Sequence, residues 1–135
     1  MNFLKINIPA LVWTLVIFIL CSMPGKAIPE FSWMELLSLD KLIHGFIFFV
    51  LQLLYMHGFK TQEKNSFIRR FYLEIPLIGC IIYGAVLELM QFHIFSSRSG
   101  DYGDFIANST GVITASILYK FIENKIDFFY RKLGI

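Results

Sequence analysis

Charge is scarce in this chain. Only 16% of its 135 residues are charged, against about 25% in an ordinary soluble domain. The net charge of +2 is too small to hold a nucleic acid, which is excluded as a partner. Cysteine is nearly missing. Cys21 and Cys80 stand in separate apolar runs, which excludes a disulfide framework and a thiolate metal site and leaves two buried thiols. No internal repeat and no low-complexity linker interrupts the sequence. Ser96, Ser97 and Ser99 lack the flanking pattern of a nucleophile elbow.

What fills the space is apolar. The chain is 56% hydrophobic and contains 15 phenylalanines, with a mean hydropathy of +0.63. Its solvent is therefore expected to be a bilayer. Four runs stand out: "INIPALVWTLVIFILCSM" at 6–23, "LIHGFIFFVLQLLYMHGF" at 42–59, "FYLEIPLIGCIIYGAVLELMQFHIF" at 71–95 and "FIANSTGVITASILYKFI" at 105–122. Each is long enough to span, since about 17–25 residues suffice. Unbroken runs of this length read as helices, because barrel strands alternate polar and apolar over shorter stretches. The expected fold is thus all-α, one integral membrane domain over 1–135 with four transmembrane helices. The fourth run is the least hydrophobic, and Ala107, Ser109, Gly111, Ala115 and Ser116 suit it to close helix packing.

Lysine and arginine orient the spans. Lys5, Lys60, Lys64, Arg69, Arg70, Lys120, Lys125, Arg131 and Lys132 fall on one side, and Lys26, Lys41 and Arg98 on the other. The richer side is expected to be cytoplasmic. Both termini then face in, and the loops 24–41 and 96–104 face out. The first loop, with Phe31 and Trp33, suits the membrane interface. Lys5 and the run behind it resemble a signal peptide, with Gly25-Lys26-Ala27 as a small-x-small site. Pro24 and Pro29 crowd that site, and Leu20 before Cys21 does not suit a lipoprotein cut, so retention of the first helix is expected.

The few polar residues gather on this topology. Asp40, Lys41 and His44 share the start of the second span at helical spacing. Glu88 and Gln91 sit three apart near the outer end of the third, and Arg98 and Asp101 follow in the loop. Asp104, Asn108 and Gly111, spaced four and three, open the fourth. Asp40 and Asp104 could serve only as helix caps, and Arg98–Asp101 only as a loop ion pair. Glu88 resists such a reading, since a carboxylate inside a span costs about 2.5–3.5 kcal/mol and is a functional-site candidate by default. The sequence "PLIGCIIYG" and "GVITASILY" leaves the inner halves without ionisable groups, which argues for a pocket at one face rather than a path across.

These residues resemble a known family. "DKLIHGF" is similar to the Asp-Lys-x-x-His element of VanZ-like membrane proteins. "ELMQFHIFSSRSGDYGDFIANSTG" resembles their second element: Glu-x-x-Gln-x-Phe, an arginine, and an Asp-x-x-x-Asn-x-x-Gly helix start. "CSMPG" also has the look of that family. The likeness runs from about residue 20 to residue 118, with Ser97 where a proline is common and Ala115 where a second glycine is common. It implies a polar set of Asp40, Lys41, His44, Glu88, Gln91, Arg98, Asp104, Asn108 and Gly111. It also implies a bacterial cytoplasmic-membrane location and a link to teicoplanin-type glycopeptide resistance.

Three functions remain from the sequence. In the first, the outer polar site binds, and could modify, an anionic cell-envelope component: a lipid-linked wall precursor, a phospholipid headgroup or a peptide carboxylate. His44 and Glu88 would be the candidate general bases, and whether there is turnover stays open. In the second, the chain is a small ion- or proton-coupled transporter subunit, completed by homo-oligomerisation. In the third, the cluster only locks helix packing. No cofactor is expected. Two loop carboxylates, Asp101 and Asp104, are too few to assign a metal.

Overall fold

A computed structural model describes residues 3–23, 33–62, 66–94 and 102–134. They form α1 (Phe3–Ser22), α2 (Trp33–Lys60), a short α3 (Ser66–Arg70), α4 (Glu74–His93) and α5 (Tyr102–Lys132). Four of these carry segments long and apolar enough to cross a membrane: Phe3–Ser22, Leu39–Lys60, Glu74–His93 and Tyr102–Lys132. The all-helical, four-span fold expected from the hydropathy is therefore present. Gly25-Lys26-Ala27, Phe31, Ser97, Arg98 and Asp101 lie outside the described residues.

Two boundaries lie far from those expected; the others shift by three residues or fewer. The second helix starts at Trp33, well before the apolar run. "WMELLSL" is rich in leucine, methionine and glutamate, with no glycine or proline to break it. Asp40 is consequently two turns inside α2 and is not its cap. The last helix continues ten residues past the expected end at 122. Hydropathy falls there, but Ile126 and Tyr130, four apart, remain buried, so one face still packs. Asp104 lies in the first turn of α5, where a carboxylate complements the helix dipole.

Contacts fix the arrangement of the helices. Trp13 Nε1 donates to the Ile47 carbonyl at 2.9 Å, and Thr14 Oγ1 lies 3.0 Å from the Tyr55 hydroxyl. Asn7 faces Gly58, so α1 runs antiparallel to α2. Tyr83 donates to the Thr14 carbonyl at 2.8 Å and Gln91 to that of Cys21 at 3.1 Å, which makes α1 and α4 parallel. The most extensive pairing is α2 with α5. Their polar contacts keep a sequence offset of 63–64, so this pair is also parallel. The start of α1 and the end of α5 thus share one end of the bundle.

The interior is built on α2. Phe48 and Leu51 pack with Ile17, Cys80, Leu87 and Val112. Met56 and Leu53 pack with Ile6, Ala115, Tyr119, Ile126 and Tyr130. Large side chains such as Leu15, Phe46, Leu89, Ile117 and Phe121 point outward, as expected where lipid replaces water as the solvent.

Candidate functional site

The backbones of α2 and α5 meet closely at two glycines. A β-carbon built on Gly111 would stand 2.0 Å from the Gly45 carbonyl oxygen, and one on Gly45 would stand 3.4 Å from that of Ala107. Small residues allow such contact in membranes, where packing and interhelical hydrogen bonds replace the hydrophobic effect between helices. The approach brings the side chains next to both glycines together.

His44, only 3% exposed, is the centre. Its Nδ1 lies 3.2 Å from Asn108 Oδ1. An amide oxygen can only accept, so Nδ1 carries the proton in this bond. The other ring nitrogen, Nε2, is 3.8 Å from Asp40 Oδ1, one helical turn back on α2, and 3.8 Å from Asp104 Oδ2 on α5. Lys41 Nζ stands 4.0 Å from the other oxygen of Asp104. One ligand atom each from Asp40, His44 and Asp104 falls within a 4.8 Å set, a grouping able to hold a metal ion. The cluster therefore consists of two i,i+4 pairs, Asp40/His44 and Asp104/Asn108, on adjacent parallel helices.

Beside it runs an open apolar groove. Lys41 stands at its head. Leu42, Phe46 and Phe49 of α2 and Ala107, Thr110 and Thr114 of α5 line it, and Gly45 and Gly111 lie among them. At 1.5 Å per residue the lined stretch of α2 is about 12 Å long.

The third helix contributes less directly. Gly84 faces Asn108, with a built β-carbon 3.5 Å from both Cβ and Nδ2 of that residue. Glu88 is one turn beyond Gly84 and Asp104 one turn before Asn108, so on these oppositely running helices the two carboxylate-bearing positions stand level. Both Glu88 carboxylate oxygens are buried. Its side chain lines a cleft of about 440 Å³ with Ala85, Phe92, Tyr102 and Phe105. Gln91, expected in the same pocket, reaches α1 instead: it is 2% exposed and bonds the Cys21 carbonyl. It lies three positions beyond Glu88, and the two side chains turn toward different neighbours.

The opposite end of the bundle holds polar contacts that the sequence reading did not anticipate. Lys60 pairs with Glu123, and His57 Nδ1 lies 3.2 Å from Asp127 Oδ1. The His57 ring sits 4.0 Å from that of Tyr130. Midway, Gln52 Nε2 donates to Ser116 Oγ at 3.0 Å. Glu123 and Asp127 belong to the part of α5 beyond the expected span, which is why hydropathy alone left them unpaired. The eight-residue steps from His44 to Gln52 to Lys60 were the available signal.

Comparison of the chain with protein-family models, with curated proteins and with solved structures gave no match. The functional reading rests on the residues and their geometry.

Proposed function

We propose that this chain is a VanZ-like membrane protein of the bacterial cytoplasmic membrane. Its polar end, at the outer face, binds an anionic, lipid-linked envelope component. The observation that carries this reading is the groove headed by Lys41. A ligand with an acyl or prenyl tail and a charged head needs an apolar track open to lipid, ending at polar groups near the membrane surface. The track between α2 and α5 has that form, and its head adjoins Asp40, His44, Asp104 and Asn108. The outward assignment comes from the distribution of lysine and arginine, which is richer toward the other end. The order and spacing of "DKLIHGF" and "ELMQFHIFSSRSGDYGDFIANSTG" support the family reading. An effect on teicoplanin-type susceptibility follows from it. Glu88, level with Asp104, and His44 would be the candidate general bases if the bound molecule is also modified.

Native mass spectrometry of gently extracted full-length protein tests the reading. A retained anionic lipid, lost in Lys41→Gln and in Arg98→Ala, is the expected result. Extraction free of lipid, together with unchanged drug susceptibility in folded His44→Ala, would refute it.

A second reading has its own observation. The Gly45–Gly111 contact and the His44–Asn108 bond together would also serve as a packing lock. In that case every substitution in the cluster lowers stability, and none separates function from folding.

A further inference from the structure

We propose that Asp40, His44 and Asp104 bind a single divalent metal ion of the zinc or manganese type. The sequence alone assigns no metal there. The inference comes from the direction in which His44 is held.

Asn108 Oδ1, an acceptor, fixes the proton on Nδ1. Metal-binding histidines are oriented in the same way, by donating their second ring N–H to an oxygen acceptor. The Nε2 lone pair is then turned toward two aspartate oxygens. A ring nitrogen facing two anionic oxygens is unfavourable unless a proton or a metal cation lies between them. At 3.8 Å to each oxygen the contacts are too long for hydrogen bonds, which require about 2.7–3.2 Å. The two aspartate oxygens are the described neighbours of Nε2, and His44 is 3% exposed. Ligands about 2.0–2.2 Å from a tetrahedral ion stand roughly 3.3–3.6 Å apart. The histidine–aspartate separations thus need to close by only a few tenths of an ångström.

Donor type agrees with this geometry. Two carboxylate oxygens and one imidazole nitrogen are the donor types that such an ion takes. One nitrogen and two oxygens suit zinc or manganese better than calcium or magnesium, which take oxygen alone. Asp40, with 28% of its side chain exposed, leaves the ion open to the bundle end, where further positions can take water or a ligand oxygen. Lys41 approaches Asp104 Oδ1, whereas His44 stands by Oδ2. Resting on the headgroup reading above, the ion would also explain how a site containing two aspartates accepts an anion: phosphate or carboxylate would complete the metal's coordination.

The test uses full-length protein in detergent, stripped with chelator and desalted. Zinc alone and manganese alone are titrated calorimetrically, and bound metal is counted after desalting. About one equivalent is expected. Asp40→Asn, His44→Ala and Asp104→Asn should weaken it by at least about tenfold, and Asn108→Ala, which removes the positioning bond but no ligand, by about 10–100-fold. Helical content is checked for each variant by circular dichroism. Asp40→Asn is the variant least able to disturb folding. No uptake by the wild-type protein, or equal affinity in folded Asp40→Asn and His44→Ala, overturns the proposal. Phosphatidylglycerol vesicles added with and without zinc separate the two readings. Metal uptake without vesicle-lipid binding leaves the ion site standing and removes the headgroup reading. Lipid binding by stripped protein that takes up no metal does the reverse.

Discussion

Gly111 and Gly45 meet backbone to backbone, so that no β-carbon fits on Gly111: it would lie 2.0 Å from the Gly45 carbonyl oxygen. The relationship is asymmetric. A β-carbon on Gly45 would find its nearest neighbour, the Ala107 carbonyl oxygen, at 3.4 Å. Since α2 and α5 form the most extensive pairing in the bundle, this contact sets the distance at which their polar side chains meet.

Substituting each glycine by alanine should separate the two. Gly111→Ala must push two backbones apart and is expected to cost about 1–3 kcal/mol, the usual range for overpacking. Gly45→Ala should be close to neutral. Thermal unfolding of both variants in the same detergent reads the difference, and equal melting temperatures would contradict the contact.

His44 and Asn108 should be coupled. A double-mutant cycle of His44→Ala and Asn108→Ala, measured by denaturant titration in mixed micelles, is expected to give about 0.6 kcal/mol, with an upper value near 1.7 kcal/mol. Additive single effects would mean that the bond at 3.2 Å contributes nothing to stability.

Gln91 ties α4 to α1 through the Cys21 carbonyl. Both cysteines carry buried thiols. Gln91→Ala should loosen the end of α1 and speed alkylation of Cys21 by a membrane-permeant maleimide. Cys80, whose thiol packs with Ile17, Leu51 and Leu87, should react at its original rate. Mass spectrometry of the labelled protein over time distinguishes the two sites, and parallel acceleration of both would point to global loosening instead.

Lys60 and Glu123 provide the contrast. Their side chains are 41% and 30% exposed, and a pair that wet is worth about 0–1 kcal/mol. Lys60→Gln should therefore shift the melting temperature little and leave both lipid retention and metal uptake at wild-type levels. A loss of either would connect the two ends of the α2–α5 interface and bring back a path through the bundle.

Much of this protein is legible in one dimension. Hydropathy is a local sum, so the four apolar runs, their helical form and their even number follow from composition within windows. The lysine and arginine distribution is equally local. Asp40, Lys41, His44, Asp104 and Asn108 could be named as one polar group because helical spacing and the alternation of spans put them near the same end. Helix ends were less legible: α2 extends back to Trp33 on helix propensity, and α5 extends to Lys132 on a single buried face. Neither extension belongs to the apolar runs that hydropathy picks out.

Only the tertiary structure decided which polar groups touch. A parallel offset of 63–64 residues between α2 and α5 depends on two backbones meeting at Gly45 and Gly111, a long-range fit that no window of sequence contains. That offset places His44 between Asp40 and Asp104 and turns its second nitrogen onto Asn108. It converts an expected helix cap into a group that faces the histidine, and it pairs Lys60 with Glu123 at the far end. The sequence by itself determined that the chain spans a membrane and which residues are expensive to bury there. The packing of two glycines determined what those residues face.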